Sequence, residues 1–283
     1  MSLASVSAAD GRLRVLAIDH RDSLRAFVSP TDPDSVPREH VVGLKRDLLR
    51  AVAPMASAVM LEPEYSIPEL VPEVPVGVGF FAALEAQGYL ADPGAAPTSL
   101  FWHADDAVRC GASVAKLLLP YHPDHQLAGE QRRVGAEVVA ECRRAGIPIV
   151  LEPLFFGLAD PSDRARVVLE TAVTFASIGP DGPDLLKLPF PVDPNLVTEH
   201  HERVAACRRI TEVCRQPWAI LSGGGDFDSF ERQVSDALEG GATGFMVGRA
   251  LWGEAARASA VERRDVIERI VVPRWRRLLD ASR

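Results

Sequence analysis

Short, continuous hydrophobic runs recur along the whole chain, and longer amphipathic stretches separate most of them. Eight such runs are LRVLAID (13–19), SAVMLEP (57–63), VGVGFF (76–81), SVAKLLLP (113–120), IPIVLEP (147–153), DLLKLPF (184–190), PWAILSG (217–223) and GFMVGR (244–249). Within each run the hydrophobic residues follow one another instead of alternating with polar ones, which is typical of parallel strands buried on both faces. The pattern therefore predicts eight parallel β-strands.

The stretches between the runs have the spacing of amphipathic helices. Clear examples are REHVVGLKRDLLRAVAP (38–54), GEQRRVGAEVVAECRRAG (129–146), PSDRARVVLETAVTFASIG (161–179) and DSFERQVSDALEGGA (228–242), with acidic or proline starts and glycine stops. Eight strand–helix units in about 250 residues predict an α/β fold, the (β/α)8 TIM barrel. No Ser/Gly linker, charge block or repeat divides the sequence, so we expect a single barrel domain over residues 1–283, with one or two closing helices in 259–282.

The least regular part of the chain follows the third run. Residues 80–106 are rich in glycine, alanine and proline. A loop over the active face and an ordinary surface insertion are both open interpretations of this segment.

Composition and charge narrow the class of function. The net charge of −8 leaves no basic footprint for nucleic acid or an anionic membrane, so neither is an expected partner. No apolar run approaches the roughly 20 residues that span a bilayer, and the N-terminus lacks a signal-peptide pattern. The four cysteines contain no C-x-x-C pair, which favours a reducing, cytoplasmic location. A small molecule is the expected partner.

Polar residues stand at the ends of the predicted strands, where a barrel of this kind gathers its active site. In strand order they are Asp19, His20, Arg21, Glu62, Lys116, Glu152, Lys187, the SGGGD segment (222–226), Gly248 and Arg249. The list combines two lysines, several carboxylates and two glycine-containing turns. These groups would point at one mouth.

Lysine is rare in this chain, which has 31 basic residues but only three lysines, Lys45, Lys116 and Lys187. Two of them interrupt hydrophobic strands. A buried ammonium is either paired or has its pKa lowered, and a lowered pKa gives a free amine that can attack a ketone to form a Schiff base. Repulsion from Lys116 would favour that form of Lys187, and Glu152 would transfer protons. A structural ion pair at Lys187 is the alternative.

Glycines follow the seventh and eighth predicted strands in ILSGGGD and VGRALW, and each segment leads into a helix start. Exposed backbone N–H groups and a helix N-terminus favour an anion. Such turns also occur without a ligand, but their place after strands seven and eight is where barrel enzymes often hold phosphate.

The histidines give no clear metal site. Among the seven, only YHPDH and EHHE bring two together, and neither matches a zinc pattern. No metal and no cofactor is expected, with a metal-assisted aldolase or hydrolase as the alternative. The chain has no G-x-S-x-G elbow, so nucleophilic hydrolysis has no support.

The segment PWAILSGGGDFDSFERQVSDALEGGATGFMVGRALW (217–252) resembles the class I aldolases of the tagatose-1,6-bisphosphate and sulfofructosephosphate aldolase group, in the DeoC/LacD-type family. LAIDHRDSLR, VAKLLLPY, IVLEPL and DLLKLPFP also fall in the family's order. The resemblance implies that Lys187 forms the Schiff base, that Glu152 donates and accepts protons, and that Lys116 and Asp19 contact the substrate. It further implies a terminal anion held by Ser222, Gly223, Gly224, Gly248 and Arg249.

One departure concerns residues 19–21, which read Asp-His-Arg where the sugar-bisphosphate members usually read Asp-Gln-Arg. This version is similar to the aldolase-like domain joined to 5-dehydro-2-deoxygluconokinases of myo-inositol breakdown. We expect His20 and Arg21 to contact the substrate, with altered contacts to the sugar hydroxyls.

The predicted function is reversible aldol cleavage of a phosphorylated ketose, such as tagatose-1,6-bisphosphate or sulfofructose-phosphate, to dihydroxyacetone phosphate and an aldehyde. A 5-dehydro-2-deoxyphosphogluconate-type aldolase, a phosphosugar isomerase or epimerase with Glu152 as base, and a noncatalytic sensor are the alternatives. The sequence is compatible with a homo-oligomer.

Overall fold

The computed structural model describes residues 2–88, 92–179 and 181–283. Eight parallel strands pair in sequence order, and the last pairs with the first to close a barrel. The strands are β1 Leu13–Ala17, β2 Ala58–Leu61, β3 Gly79–Ala83, β4 Val114–Pro120, β5 Ile149–Leu154, β6 Leu185–Pro189, β7 Trp218–Leu221 and β8 Gly244–Val247. The TIM barrel predicted from the hydrophobic runs is confirmed.

Helices surround the barrel. They are α1 Asp22–Val28, α2 Arg38–Val52, α3 Ala104–Arg109, α4 Ala128–Ala145, α5 Arg164–Ala176, α6 His200–Val213, α7 Phe227–Glu239, α8 Arg249–Arg257, α9 Arg263–Val266 and α10 Val272–Ala281. A π-helical turn, Ile267–Val271, joins α9 to α10. Within the described ranges no helix has the length and apolar character to cross a membrane.

The C-terminal segment completes the ring of helices. Helix α10 lies against α7 and α2, and Trp275 makes an edge-on ring contact with Phe245 of β8, with 5.6 Å between ring centroids. Both rings are buried between the sheet and this helix. The closing helices expected from residues 259–282 therefore cover the side of the barrel.

The third strand begins and ends later than its hydrophobic run indicates. Gly77 has a left-handed φ of +86°, so the chain turns there before the strand starts. At Gly79 a Cβ would lie 2.2 Å from the carbonyl oxygen of Ser5, so the N-terminal segment can approach only a glycine. The segment 80–106 is consequently part strand: it includes the end of β3, a bridge between Glu85 and Leu100, and the start of α3. Residues 89–91 of that predicted loop lie outside the described residues.

Two hydrophobic layers result from the alternation of side chains along each strand. The larger layer lies between the sheet and the helices. The smaller one fills the barrel interior and includes Val114, Val150 and Leu185, with Val6 of the N-terminal 3-10 turn at its end. Side chains two residues further along a strand face the same side. The interior positions after these three residues are Lys116, Glu152 and Lys187, which places the polar groups above the packed layer.

Candidate active site

A cavity opens at the carboxyl ends of the strands. Residues from β1 and from β4 to β8, with the segments that follow them, line it; the polar ones are His20, Ser23, Glu152, Lys187, Ser222 and Arg249, with Gly223, Gly224 and Gly248. Apolar residues of β4 and β5, Leu118 and Leu154, form another part of the wall. The structure thus brings most of the sequence-predicted site residues to one mouth.

Lys187 reaches this cavity from inside the barrel. Its side chain is 5% exposed, which leaves the amine accessible only from the cavity that it lines. Its Nζ lies 2.8 Å from Oε1 of Glu152 and donates to the thioether of Met60 at 3.7 Å. The amine therefore has a proton-transfer partner at hydrogen-bond distance.

Lys116 does not line the cavity but lies directly behind it. Its Nζ is 2.8 Å from Oδ2 of Asp19, 2.7 Å from Oε1 of Glu85 and 3.2 Å from Oε2 of Glu152. Because the two oxygens of Glu152 face different lysines, this carboxylate bridges the two ammonium groups. Both predicted lysines thus share one proton-carrying group.

The charges around Asp19 and His20 decide their protonation. Burial alone would raise the pKa of Asp19, but the positive charges of Lys116 and Lys187 outweigh it and hold the pKa well below its usual range. For His20, burial is the main cause that lowers the pKa to about 3; Arg249 and Lys187 act in the same direction. At neutral pH Asp19 is consequently an anion beside an uncharged imidazole.

The turns after β7 and β8 form a further side of the cavity. Gly223 and Gly224 have φ values of +57° and +78°, a left-handed conformation that glycine adopts without strain. A Cβ on Gly224 would lie 3.2 Å from a terminal nitrogen of Arg249, so the guanidinium lies close over this turn. The Oγ of Ser222 accepts a hydrogen bond from the backbone N–H of Gly248 at 3.4 Å. Glycine backbone and one guanidinium therefore meet here.

Arg21 departs from the expectation that it contacts the substrate. Its side chain is 1% exposed and lies outside the cavity lining. Nη1 donates to Glu64 at 3.1 Å, and Nη2 donates to the backbone oxygen of Glu85 at 2.8 Å and to its Oε1 at 3.3 Å. The reason is geometric: the chain turns after β1, so His20 faces the cavity and Arg21 faces the neighbouring strand ends.

Glu62, at the end of β2, also lies outside the cavity lining. Its carboxylate pairs with Lys45 of α2, accepts a hydrogen bond from Ser66, and accepts two more from backbone N–H groups in the turn that follows β2. Burial lowers the pKa of Lys45, with Glu62 acting against it. This pair ties helix α2 to the barrel.

Two residues near the site were missed by the sequence reasoning. Ser23, at the start of α1, lines the cavity, and Glu85 joins Lys116 to Arg21 at 1% exposure. Extending the alternation of β3 would have found Glu85, because Phe81 faces the barrel interior and residues 83 and 85 continue its spacing. Nothing in the sequence around Ser23 signals its position.

Several carboxylates lie close together in the site, but they surround an ammonium group. Among the described residues, no group of three or more His, Cys, Asp or Glu side chains could hold a metal ion. Asp19, Glu85 and Glu152 instead surround Lys116. The histidines of YHPDH, His122 and His125, pack against the ring of Phe156 in the region after β4.

Known proteins resemble this chain over most of its length. The model of the DeoC/LacD family aldolases matches residues 14–254. A tagatose 1,6-diphosphate aldolase 2 of Streptococcus pyogenes serotype M6 is 28% identical over 271 residues, which cover 88% of this chain and 82% of the relative. A tagatose 1,6-diphosphate aldolase of Staphylococcus haemolyticus is 29% identical over 285 residues, with 90% and 85% covered.

Solved structures show the same fold. A Schiff base forming fructose-1,6-bisphosphate aldolase superposes with a TM-score of 0.68 at 20% identity and covers 98% of this chain and 97% of its own. Cgl0159 from Corynebacterium glutamicum has a TM-score of 0.71 at 18% identity, with 98% and 87% covered.

Proposed function

Because this chain belongs to the DeoC/LacD family of aldolases, we propose that it cleaves a phosphorylated ketose through a Schiff base on Lys187. Family membership makes the protein a class I aldolase, a carbon–carbon lyase, and selects that activity over the isomerase and sensor alternatives. The observation that carries the residue assignment is the position of Lys187: its amine lines the cavity and lies 2.8 Å from Glu152.

Glu152 serves Schiff-base formation. It takes a proton from the ammonium of Lys187, and the neutral amine then adds to the C2 carbonyl of the ketose. The carbonyl oxygen gains the proton that the attacking nitrogen loses and becomes the hydroxyl of a carbinolamine. Protonation of that hydroxyl by Glu152 releases water and leaves an iminium. A carboxylate that can take up one proton at Nζ and give it to the nearby carbinolamine hydroxyl suits these two transfers.

The iminium then acts as the electron sink for carbon–carbon cleavage. The C4 hydroxyl loses its proton to Glu152, which is an anion again after the loss of water, and its electron pair forms the carbonyl of the departing aldehyde. The C3–C4 electron pair becomes the double bond of an enamine, and the C=N electron pair moves onto the nitrogen. The enamine takes up a proton at C3 from Glu152, and water hydrolyses the resulting iminium. The three-carbon ketone, dihydroxyacetone phosphate, leaves, and the amine of Lys187 is restored.

Asp19 and His20 are assigned to the sugar hydroxyls, and Lys116 behind the cavity is assigned to their positioning. The low pKa of Asp19 keeps it an acceptor at neutral pH, and the neutral ring of His20 lines the cavity next to it. Lys116 holds Asp19 and Glu152 in place through its ion pairs. These three groups would orient C3 and C4 for the cleavage step.

The turns after β7 and β8 are assigned to the substrate's phosphate. Backbone N–H groups of glycines can approach an anion closely, and Arg249 supplies a positive charge on the same side of the cavity. The residues assigned to bind the phosphate are Ser222, Gly223, Gly224, Gly248 and Arg249. The names of the curated relatives, tagatose 1,6-diphosphate aldolases, support a phosphorylated ketose.

A second candidate substrate is 5-dehydro-2-deoxyphosphogluconate or a related sugar acid. The observation that favours it is His20, whose neutral imidazole offers one donor and one acceptor in a fixed ring in place of a flexible amide. Assaying triose release from ketose bisphosphates, sulfofructose-phosphate and the sugar-acid phosphate separates the two candidates. The substrate that is cleaved with the highest kcat/KM identifies the correct candidate.

Reductive trapping tests the Schiff base. Borohydride added with dihydroxyacetone phosphate should increase the intact mass by one reduced adduct, and peptide mapping should locate it on Lys187 and on neither Lys45 nor Lys116. Lys187→Met should give no adduct and lower kcat at least about a thousandfold. EDTA should leave the activity of the wild type intact. EDTA-sensitive cleavage without an adduct would reject the proposal.

The cytoplasm is the proposed location, because the cysteine pattern favours a reducing compartment and phosphorylated sugars are made and consumed there. A homo-oligomer remains a prediction that a solution mass measurement decides.

A further inference from the structure

Glu85 occupies the centre of a buried charge network outside the cavity lining. Its Oε1 accepts hydrogen bonds from Lys116 at 2.7 Å and from Arg21 at 3.3 Å, and its Oε2 accepts one from the backbone N–H of Leu118 at 3.0 Å. The residue is 1% exposed. A buried carboxylate with three donors is held in a single orientation, because each lost hydrogen bond would leave a polar group unsatisfied.

Alternating charges connect this carboxylate to the surface and to the reacting amine. Glu64 lies 3.1 Å from Arg21, Arg21 lies 3.3 Å from Glu85, and Glu85 lies 2.7 Å from Lys116. On the inner side Lys116 lies 3.2 Å from Glu152, which lies 2.8 Å from Lys187. We define these six residues as the ion relay. Its outer end, Glu64, has a side chain that is 36% exposed, while the five others are almost fully buried.

Glu85 affects how strongly the Lys116 ammonium attracts the other carboxylates around it. Asp19 and Glu85 are the nearer partners of the Lys116 ammonium, at 2.8 and 2.7 Å, and Glu152 is the more distant one at 3.2 Å. Glu152 therefore keeps its shorter contact with Lys187. Without the negative charge of Glu85, the ammonium would draw Glu152 towards itself and favour its ionised form. Proton exchange between Glu152 and Lys187 would then be slower.

Arg21 stabilises the negative charge of Glu85 in its buried position. Three carboxylates around one ammonium would leave an excess of buried negative charge, which is costly. The Arg21 guanidinium adds a positive charge to those of Lys116 and Lys187 and bonds both the backbone oxygen and the side chain of Glu85. One arginine thus fixes the backbone after β3 and the carboxylate that it carries.

The geometry points to Glu85, held by Arg21, as a positioning residue that keeps Glu152 available to Lys187 during proton transfer. This inference rests on the proposed Schiff-base function of Lys187 and adds a residue that touches neither substrate nor reacting atoms. Its effect is electrostatic and passes through Lys116.

Glu85→Gln is the direct test, measured as the pH profile of kcat and kcat/KM. Removing one buried negative charge favours the ionised carboxylate and the neutral amine, so both limbs of the profile should move to lower pH by about 0.5 to 1 unit. We expect kcat at neutral pH to fall about tenfold to a hundredfold, with KM changed less than about threefold. Glu85→Asp keeps the charge and should restore the limbs while kcat stays below that of the wild type.

Glu64→Gln is the matched control. It makes the same carboxylate-to-amide change at the exposed end of the ion relay, and the limbs should stay within about 0.2 unit of the wild type because solvent screens this position. A folded Glu85→Gln enzyme with wild-type limbs and kcat, or an equal shift in Glu64→Gln, would overturn the inference. If Glu85→Gln does not fold, a shift of the limbs by about 0.5 unit or more in Glu85→Asp, which keeps the charge, overturns it instead.

Trapping separates this inference from the proposed function. The absence of a borohydride adduct on Lys187 in the wild type would remove the Schiff-base function itself. An adduct in the wild type together with an unchanged Glu85→Gln profile would remove only the role of Glu85.

Discussion

A Cβ on Gly248 would lie 2.7 Å from Cε1 of His20, so the absence of a side chain after β8 is a condition for the place of the imidazole in the cavity. The ring cannot retreat freely on its other side, where Trp252 makes an edge-on contact at 5.1 Å between centroids. The indole in turn donates to the backbone oxygen of Ala17 at 3.1 Å. Gly248 thus belongs to the site through its effect on His20 as well as through its backbone.

Gly248→Ala should displace the His20 ring. We expect kcat/KM to fall about tenfold to a hundredfold, because small displacements of positioning groups are costly, and the free energy of unfolding to fall by about 1 to 3 kcal/mol from overpacking. Steady-state kinetics and urea denaturation measure the two effects. The control is Gly129→Ala in α4, where the nearest atom to the new Cβ lies 3.8 Å away. Wild-type kinetics in Gly248→Ala would contradict this role.

The low pKa of His20 predicts a loss of stability in mild acid. The pKa is about 3 in the folded protein against 6.5 for a free histidine, so between these values the unfolded chain binds a proton that the folded protein does not. The free energy of unfolding therefore falls as the pH drops below 6.5, and this loss ends near pH 3. Between pH 7 and pH 5 the wild type should lose about 1 to 2 kcal/mol more than His20→Gln, which cannot titrate.

Urea denaturation of both proteins at pH 7 and pH 5 measures this difference. Asp19 does not confuse the comparison, because its depressed pKa affects stability only as the pH falls through and below 3.8, the ordinary pKa of an aspartate side chain. Equal losses in the two proteins would show that the ring titrates normally in the folded state.

The N-terminal turn should contribute to the stability of the whole barrel. Val6 has no exposed surface and packs on the interior layer of the barrel, although it lies outside every strand. Val6→Ala should lower the free energy of unfolding by about 2 kcal/mol through the lost burial and the cavity left behind. Val76→Ala makes the same change at a fully exposed position and should stay within about 0.5 kcal/mol of the wild type. Similar values for both variants would contradict the packing role.

Amine labelling should rank the three lysines. Lys45 and Lys116 are each 1% exposed and Lys187 is 4% exposed and lines the cavity, so the native protein should react first at Lys187 among its side chains. A saturating phosphorylated ketose should slow this reaction, whereas denaturant should make all three lysines react. Mass spectrometry of the labelled peptides gives the order. Faster labelling of Lys116 than of Lys187 would place the cavity elsewhere.

The sequence predicted the barrel and its inward-facing charges for one physical reason. Strand residues alternate between two faces, so a lysine or glutamate inside a continuous hydrophobic run must face either the helices or the barrel interior. Lys187 and Glu152 lie at interior positions, and the register of β4, β5 and β6 brings them together with Lys116. The distances between these side chains depend on how the neighbouring strands pair in the closed barrel. No single hydrophobic run carries that information.

The position of Arg21 was not predictable in the same way. After a strand ends, the backbone turns, and the regular alternation no longer decides where a side chain points. Arg21 therefore lies away from the cavity although His20 before it faces in. Glu85 was hidden because the hydrophobic run of the third strand starts in a turn at Gly77, which shifts the strand and its end.

The packed lower half of the barrel affects the order in which the two products leave. With Val6 and the interior layer packed beneath Lys187, the aldehyde, the ketone and the water needed for hydrolysis must all exchange through the opening at the strand ends. In the proposed mechanism the aldehyde freed from C4 shares this opening with the water that hydrolyses the Schiff base. It must depart before bulk water can reach the Schiff base, so the enzyme should follow an ordered release in which the ketone is the last product and, in the synthetic direction, the first reactant to bind.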